Sequence, residues 1–252
     1  MTHRATALQL YSVRERLDEG LAPALERIAA AGFSRIEPYD LLRLADELRT
    51  AMPAAGLTAP TAHARLLGDD QEAVLAAAAG LGVTTIVDPM TEAERWRTRD
   101  DVLRVADELN AAAVRAAAHG LVLGYHNHAW EAQVVEGDAT GLDVLADALD
   151  PAVVLEVDAY WAAVGGADVP ALLARLGDRV RALHLKDAPL VDGSLSHDPH
   201  DQLPVGQGAL DWRAILAAAP TAELLVVEFD QYRGDVLEGA AASLAAIDAL
   251  VA

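Results

Sequence analysis

Ionisable side chains close almost every apolar run in this chain, and many come in pairs two residues apart. His126 and His128 lie in GYHNHAWE, Glu156 and Asp158 in VVLEVDAYW, His184 and Lys186 in VRALHLKD, and Glu228 and Asp230 in LLVVEFD. Residues two apart on a strand face the same side of it. Each pair therefore points two polar groups one way, and successive pairs converge if the strands are neighbours. Earlier runs carry Gln9 and Tyr11, Glu37, His63 and Asp88. Carboxylates and imidazoles gathered without thiolates suit Mn²⁺, Mg²⁺, Co²⁺ or Zn²⁺. Without such an ion, that many carboxylates repel one another. The chain has no cysteine, so disulfides and thiolate metal sites are excluded.

The runs holding these groups read as strands, at 7–12, 35–39, 57–64, 84–90, 121–128, 153–161, 180–187 and 224–230. Between them, segments such as LAPALERIAAAG and DDVLRVADELNAAAVRAAAHG repeat their apolar residues at the helical spacing of three and four. Gly32, Gly56, Gly82, Gly120 and Gly177 follow these segments as stop signals. Eight strands alternating with helices predict a (β/α)8 TIM barrel, as one domain over residues 1–252. A doubly wound open sheet is the rival, but LQLYSVRERL lacks the glycines of a pyrophosphate-cradling turn. Barrel enzymes carry their chemistry at the C-terminal strand ends, which is where these pairs fall. The irregular stretch 188–210 reads as a loop over the site. Within it HDPHD reads as a solvated acidic turn, and Asp187 as the group that fixes the loop. Gly206 and Gly208 let the backbone turn before a helix beginning near Asp211.

Composition bounds the partners. The formal net charge is −20, from 39 acidic and 19 basic residues, which opposes nucleic acid and anionic membranes. Apolar residues make up 53%, much of it alanine, enough for a large core of closely packed helices. No apolar run reaches membrane-spanning length, and MTHRATALQLYS has no long apolar leader. The expectation is a soluble cytoplasmic protein with a small-molecule partner, whose Ala-rich outer helices could form a homodimer face.

LQLYSVR, GYHNHAWE, LEVDAYWAAVGGADVPALLARLGDRVRALHLKD, VGQGALDW and LVVEFDQ occur in this order. Together they resemble the sugar phosphate isomerase/epimerase family of xylose isomerase-like TIM barrels, over essentially the whole chain. The block ending in HLKD is the most specific part. The resemblance implies one divalent metal ion, Mn²⁺ foremost, held by Glu, Asp, His and Glu from strands five to eight. Carried over, the last three are Asp158, His184 and Glu228. Strand five departs, because the family's Glu often sits in L-E-N-H and here the run is Y-H-N-H, so His126 takes that position. In the family's epimerases two glutamates face each other across the substrate, and the departure bears on that symmetric mechanism. A histidine can still be a ligand or a base.

The activity implied is isomerisation or epimerisation of a keto or aldo sugar, or a derivative, through proton removal beside a carbonyl. Glu228 is the expected base, with His126 or Lys186 handling the second proton. Gln9, Glu37, His63, His128, Glu156 and Trp161 are expected around the sugar, with a salt bridge to Lys186 as the other role for Glu156. Loss of a β-leaving group from the same enediolate would make the protein a dehydratase or lyase of a keto-sugar, keto-glycoside or keto-inositol. A non-catalytic sugar-binding barrel is a further alternative. Phosphodiester cleavage, as in the endonuclease IV relatives of this barrel, needs several metals and a DNA-binding face. Ligands for about one site and an acidic chain do not supply these.

Overall fold

The computed structural model describes residues 4–68 and 70–251. Eight parallel strands surround a central axis: β1 (Ala5–Gln9), β2 (Ile36–Glu37), β3 (Thr61–His63), β4 (Thr85–Asp88), β5 (Val122–His126), β6 (Val154–Asp158), β7 (Val180–Leu185) and β8 (Leu224–Val227). Their hydrogen-bonded order runs β2, β1, β8, β7, β6, β5, β4, β3. β2 and β3 are joined by a single bridge, Arg35 to Thr58, so the barrel is nearly closed. This is the (β/α)8 architecture that the alternating pattern predicts.

Helices cover the outside, among them Leu21–Ala30, Leu41–Ala54, Gln71–Gly80, Arg99–Ala118 and Val236–Val251. Each buries one stripe, such as Val102, Val105 and Leu109, and the main core lies between these stripes and the sheet. Part of the acidic excess serves the helix starts. Thr98 with Asp101 and Thr140 with Asp143 form capping boxes, and Asp70, Asp168 and Asp211 cap other helices. Gly120, at φ 75°, ends the helix Arg99–Ala118 as predicted.

The barrel interior divides in two. Ala7, Ala182, Leu224 and Val226 form an apolar cluster of their own in the lower half. A well of about 700 Å³ opens at the N-terminal strand ends, lined in part by Ala5, Thr61, Thr85 and Ala182. The upper half is polar, with Gln9, Glu37, His63, His126, Glu156, Asp158 and His184 all buried. No helix among the described residues is long and apolar enough to cross a membrane.

The strands are shorter at their C-terminal ends than the apolar runs suggest. The run 153–161 stops at Asp158, whose Oδ1 accepts the Trp161 N–H at 2.8 Å and opens the helix Ala159–Val164. Trp161 is therefore a helical residue. β7 and β8 end at Leu185 and Val227, so Lys186 and Glu228 lie just past the ladder.

The loop after β7 hangs on Asp187. Its Oδ1 accepts the N–H groups of Ala188 and Leu210 at 3.0 and 3.2 Å. Its Oδ2 accepts those of Gly206 and the Trp212 indole at 2.9 and 3.0 Å. Gly206 has φ 80°. Gly208 is required by close approach, since a Cβ there would lie 2.1 Å from Asp187 Oδ1. The HDPHD segment forms a short turn at Pro199–Asp201 with largely exposed side chains. Asp187→Ala strands four donors, two of them, on Ala188 and Trp212, buried. It should cost about 2–4 kcal/mol of unfolding free energy in urea titrations. A loss below about 0.5 kcal/mol would show that the loop is held by other means.

Candidate active site

The polar residues of GYHNHAWE go different ways. Tyr125 points out of the barrel, packs 5.6 Å from the Trp96 ring, and donates its hydroxyl to Glu131 Oε1 at 2.8 Å. His126 points inward. Asn127 accepts the Asp158 N–H at 3.0 Å and donates to the Asp158 carbonyl at 3.2 Å. Its amide thus extends the β5–β6 pairing, whose last backbone pair is His126 with Glu156. His128 reaches the wall of a second cavity and stacks on Trp130 at 4.7 Å.

That cavity, about 450 Å³, opens at the C-terminal strand ends over His63, His126, Lys186, Glu228 and Asp230. Lys186 Nζ lies 2.7 Å from Asp158 Oδ2, 2.7 Å from Glu228 Oε2 and 3.3 Å from Asp230 Oδ2. His184 Nδ1 meets Glu228 Oε2 at 2.9 Å, and His126 Nε2 stands 3.8 Å from Asp158 Oδ2. His126, Asp158, His184 and Glu228 each offer a donor atom, all within 4.8 Å of one another. The structure therefore brings together the four residues expected to be ligands.

Behind them lies a second tier. Glu156 Oε2 contacts His63 Nε2 at 2.6 Å, His184 Nε2 at 3.0 Å and His126 Nδ1 at 3.3 Å. Glu37 Oε1 contacts His184 Nε2 and Gln9 Nε2, both at 2.8 Å, and His63 Nε2 at 3.0 Å. One expectation is corrected here. Glu156 pairs with imidazoles and not with Lys186, because it sits one pleat below Asp158. Gln9, Glu37 and Glu156, at 0%, 0% and 2% exposure, lie behind the residues that line the upper cavity. The Glu37 and Glu156 carboxylates meet Nε2 of His63 and His184, and Glu156 meets Nδ1 of His126. The Glu156 contact leaves His126 Nε2 turned toward the upper group, and the Glu37 and Glu156 contacts at Nε2 leave His184 Nδ1 to Glu228, where an ion would take the place of the Nδ1 proton. His63, His126, Glu156 and His184 also form a close donor group, but its members are already bonded to one another. Trp161, expected as a sugar wall, packs 6.2 Å from His128 with Lys186 Nζ 5.9 Å from its ring, and it too is off that wall.

The charges follow from this layout. Burial would lower the His63 and His184 imidazoles, but the surrounding carboxylates win, raising His63 to about 10 and His184 well above its usual range. Burial would also lower Lys186, yet Asp158, Asp230 and Glu228 hold it protonated. Burial would raise Glu37 and Glu228, but imidazolium and, for Glu228, ammonium neighbours hold both well below the carboxylate range. His126 and His128 stay neutral, pushed down by burial and by nearby positive charge, His128 to about 3. Glu37, Glu156, Asp158, Glu228 and Asp230 thus face only three positive groups. Two nitrogens, two oxygens and a deficit of positive charge fit a divalent cation at the upper donor group.

Sequence reasoning assigned no role to Glu131. It is fully buried, and its Oε2 accepts the His128 N–H at 2.9 Å, fixing the backbone under that ring. The signal was its place in the same short motif as Tyr125. Asp88 ends β4 as expected but turns to the loops, accepting the N–H groups of Leu66, Leu67 and Met90.

The family described as the xylose isomerase-like TIM barrel matches residues 25–249. Among solved structures, a sugar phosphate isomerase/epimerase from Parabacteroides distasonis superposes with TM-score 0.81 at 22% identity, covering 99% of this chain and 95% of its own. The probable 3-DHS dehydratase AsbF of Bacillus anthracis gives 0.76 at 14% identity, covering 97% and 98%. The IOLI protein with a bound zinc atom gives 0.69 at 16% identity, covering 98% of each chain. At these identities the likeness concerns the fold. No curated protein matches the chain.

Burial pushes the Glu131 carboxyl up to about 8, against the hydrogen bonds that lower it. The unfolded chain releases that proton near pH ~4.3. Stability should therefore fall as pH rises through this window, by up to ~1.4 kcal/mol per pH unit. Urea titrations from about pH 5 to 8 should show a flatter profile for Glu131→Gln than for the parent. Parallel profiles would contradict a buried neutral acid.

Proposed function

The chain belongs to the xylose isomerase-like TIM-barrel family, and on that premise we propose that it is a divalent-metal-dependent sugar isomerase or epimerase acting beside a carbonyl. One observation carries the reading: Glu228, Lys186 and His126 line one cavity mouth, and Glu228 and His126 belong with Asp158 and His184 to a group of four mutually close donor atoms. His126, Asp158, His184 and Glu228 would hold the ion. Mn²⁺ is the proposed metal, and Mg²⁺, Co²⁺ and Zn²⁺ suit the same donors. When bound, the ion supplies Lewis acidity that stabilises an enediolate.

The side chains do the rest. Glu228, kept ionised by Lys186 and His184, takes the proton from the carbon next to the carbonyl. Once Glu228 is protonated, Lys186 loses that ionic partner and can turn an N–H toward the adjacent substrate oxygen. His128 is neutral, and its Nδ1 is buried without a partner, which suits a hydrogen bond to a sugar hydroxyl. His126 has its Nδ1 against Glu156, so we assign it to holding the ion and not to moving protons.

A second reading has a specific observation behind it. His126 stands where the family often has a strand-five glutamate, so no strand-five carboxylate faces Glu228 at the mouth. One base with a neighbouring ammonium also suits loss of a β-leaving group, as in a dehydratase or lyase of a keto-sugar, keto-glycoside or keto-inositol.

Both readings require exchange of the α-proton. NMR of metal-loaded protein with keto-sugars, keto-glycosides and keto-inositols in D₂O should show deuterium entering that carbon. Glu228→Gln should slow exchange by about 10²–10⁴-fold while ligand binding persists. Binding without exchange in any candidate would sink both readings and leave a sugar-binding barrel.

A further inference from the structure

The upper cavity has a second zone that the proton chemistry does not use. Beside its polar floor rises a wall of Tyr11, Tyr39, Leu42, Val74, Pro89 and Met90. The wall comes from the segments after β1, β2 and β4 and from the helices Leu41–Ala54 and Gln71–Gly80. Tyr11 and Tyr39 meet edge to face at 5.4 Å. Tyr11 is 39% exposed and Leu42 55%, so large apolar surface is left facing solvent at the mouth. The cavity, at about 450 Å³, lies in the size range of sites for drug-sized ligands and has room beyond a sugar ring on the floor.

The charges at this mouth do not suit a phosphate. Among the described residues lining the cavity, the Lys and Arg side chains are Lys186 and Arg65. Lys186 is held by Asp158, Glu228 and Asp230, and Arg65 is paired with Glu92. Arg14, nearby, lies over the Tyr11 ring and donates to the carbonyls of Tyr11 and Asp230. The helix Leu41–Ala54 does open onto the cavity, but the carboxylate of Asp40 stands at its start and leucines follow. A phosphate would therefore meet Asp40, which already holds Arg43, and Glu228 and Asp230, which share Lys186, with no unpaired cation of the lining to receive it.

We propose that the substrate is a keto-sugar bearing an uncharged apolar substituent, an aryl or alkyl keto-glycoside whose carbonyl is on the ring and not at the locked anomeric carbon, with the ring on the polar floor and the substituent against Tyr39 and Leu42. This rests on the reading that the floor takes a sugar. Aromatic faces and leucine give the substituent apolar area to cover, and the segment carrying Tyr11 and Arg14 forms the rim above.

The test is calorimetric titration of the metal-loaded protein with p-nitrophenyl glycosides of gluco, galacto and manno configuration. Each is compared with its free hexose and hexose 6-phosphate. At least one aryl glycoside should bind about tenfold or more tightly than its free sugar, and the phosphate ester no more tightly. Tyr39→Ala and Leu42→Ala should each remove most of that advantage while leaving free-sugar binding unchanged. Leu42 is exposed, so its variant tests the point even if Tyr39→Ala does not fold. Preference for the phosphate esters, lost in Arg65→Ala, would overturn the proposal, as would equal binding of aryl and free sugars. Either result leaves the sugar site itself standing. Absence of binding by every compound would overturn both this proposal and the floor's assignment to a sugar.

Discussion

Glu37, Glu156, Asp158 and Glu228 are buried together at one end of the barrel, with Asp230 beside them, and their mutual repulsion is what the surrounding structure must answer. Two like charges 4 Å apart repel by about 4 kcal/mol at an effective dielectric of 20. Lys186 answers on the upper side, between Asp158 and Glu228. His63 and His184 answer below, between Glu37 and Glu156, with their rings stacked at 5.1 Å. The excess of carboxylates over basic groups is the physical argument for the proposal that His126, Asp158, His184 and Glu228 would hold a divalent ion. The imidazoles that would hold it are oriented by the same carboxylates that need neutralising.

The fold supplies this crowding through a simple division of labour. Inward positions in the lower barrel carry small apolar residues, and those in the upper barrel carry polar ones. Beyond the last ladder bonds, buried polar groups take over from the sheet. Asn127 links the end of β5 to Asp158, Asp88 holds the loops after β3 and β4, and Asp187 holds the loop after β7. These groups keep residues just past the strand ends, Lys186 and Glu228 among them, as well positioned as strand residues. Rigid support of this kind is what a proton-transfer site requires.

Much of this was legible in residue order. Strand periodicity predicted the barrel, the spacing of polar pairs put eight polar side chains at one end of it, and the family resemblance singled out His126, Asp158, His184 and Glu228, which the structure brings together. Depth was legible in part, since two-residue spacing puts Glu156 deeper than Asp158. Partners were not, because alternation says which way Glu156 points but not that His63, His126 and His184 and not Lys186 meet it there. Asp158 shows a related limit, since its side chain starts a helix where the apolar run continues, which moves Trp161 away from the wall. Glu131 went unassigned because its partners, the Tyr125 hydroxyl and the His128 N–H, depend on a turn that no periodicity describes. The apolar wall of Tyr39, Leu42 and Met90 is assembled from separate segments, each an ordinary helix or loop residue in isolation.

The claim on which the account turns is that the surplus of buried carboxylate is completed by one divalent ion. Metal analysis by mass spectrometry tests it most directly, on protein purified without chelator or affinity metal and reloaded with Mn²⁺. The account predicts about one ion per chain, lost in Asp158→Ala but kept in Trp161→Phe. Folded protein that takes up no ion after reloading would contradict it, and would mean that Lys186 and the two imidazoliums are the only counter-charges the site uses.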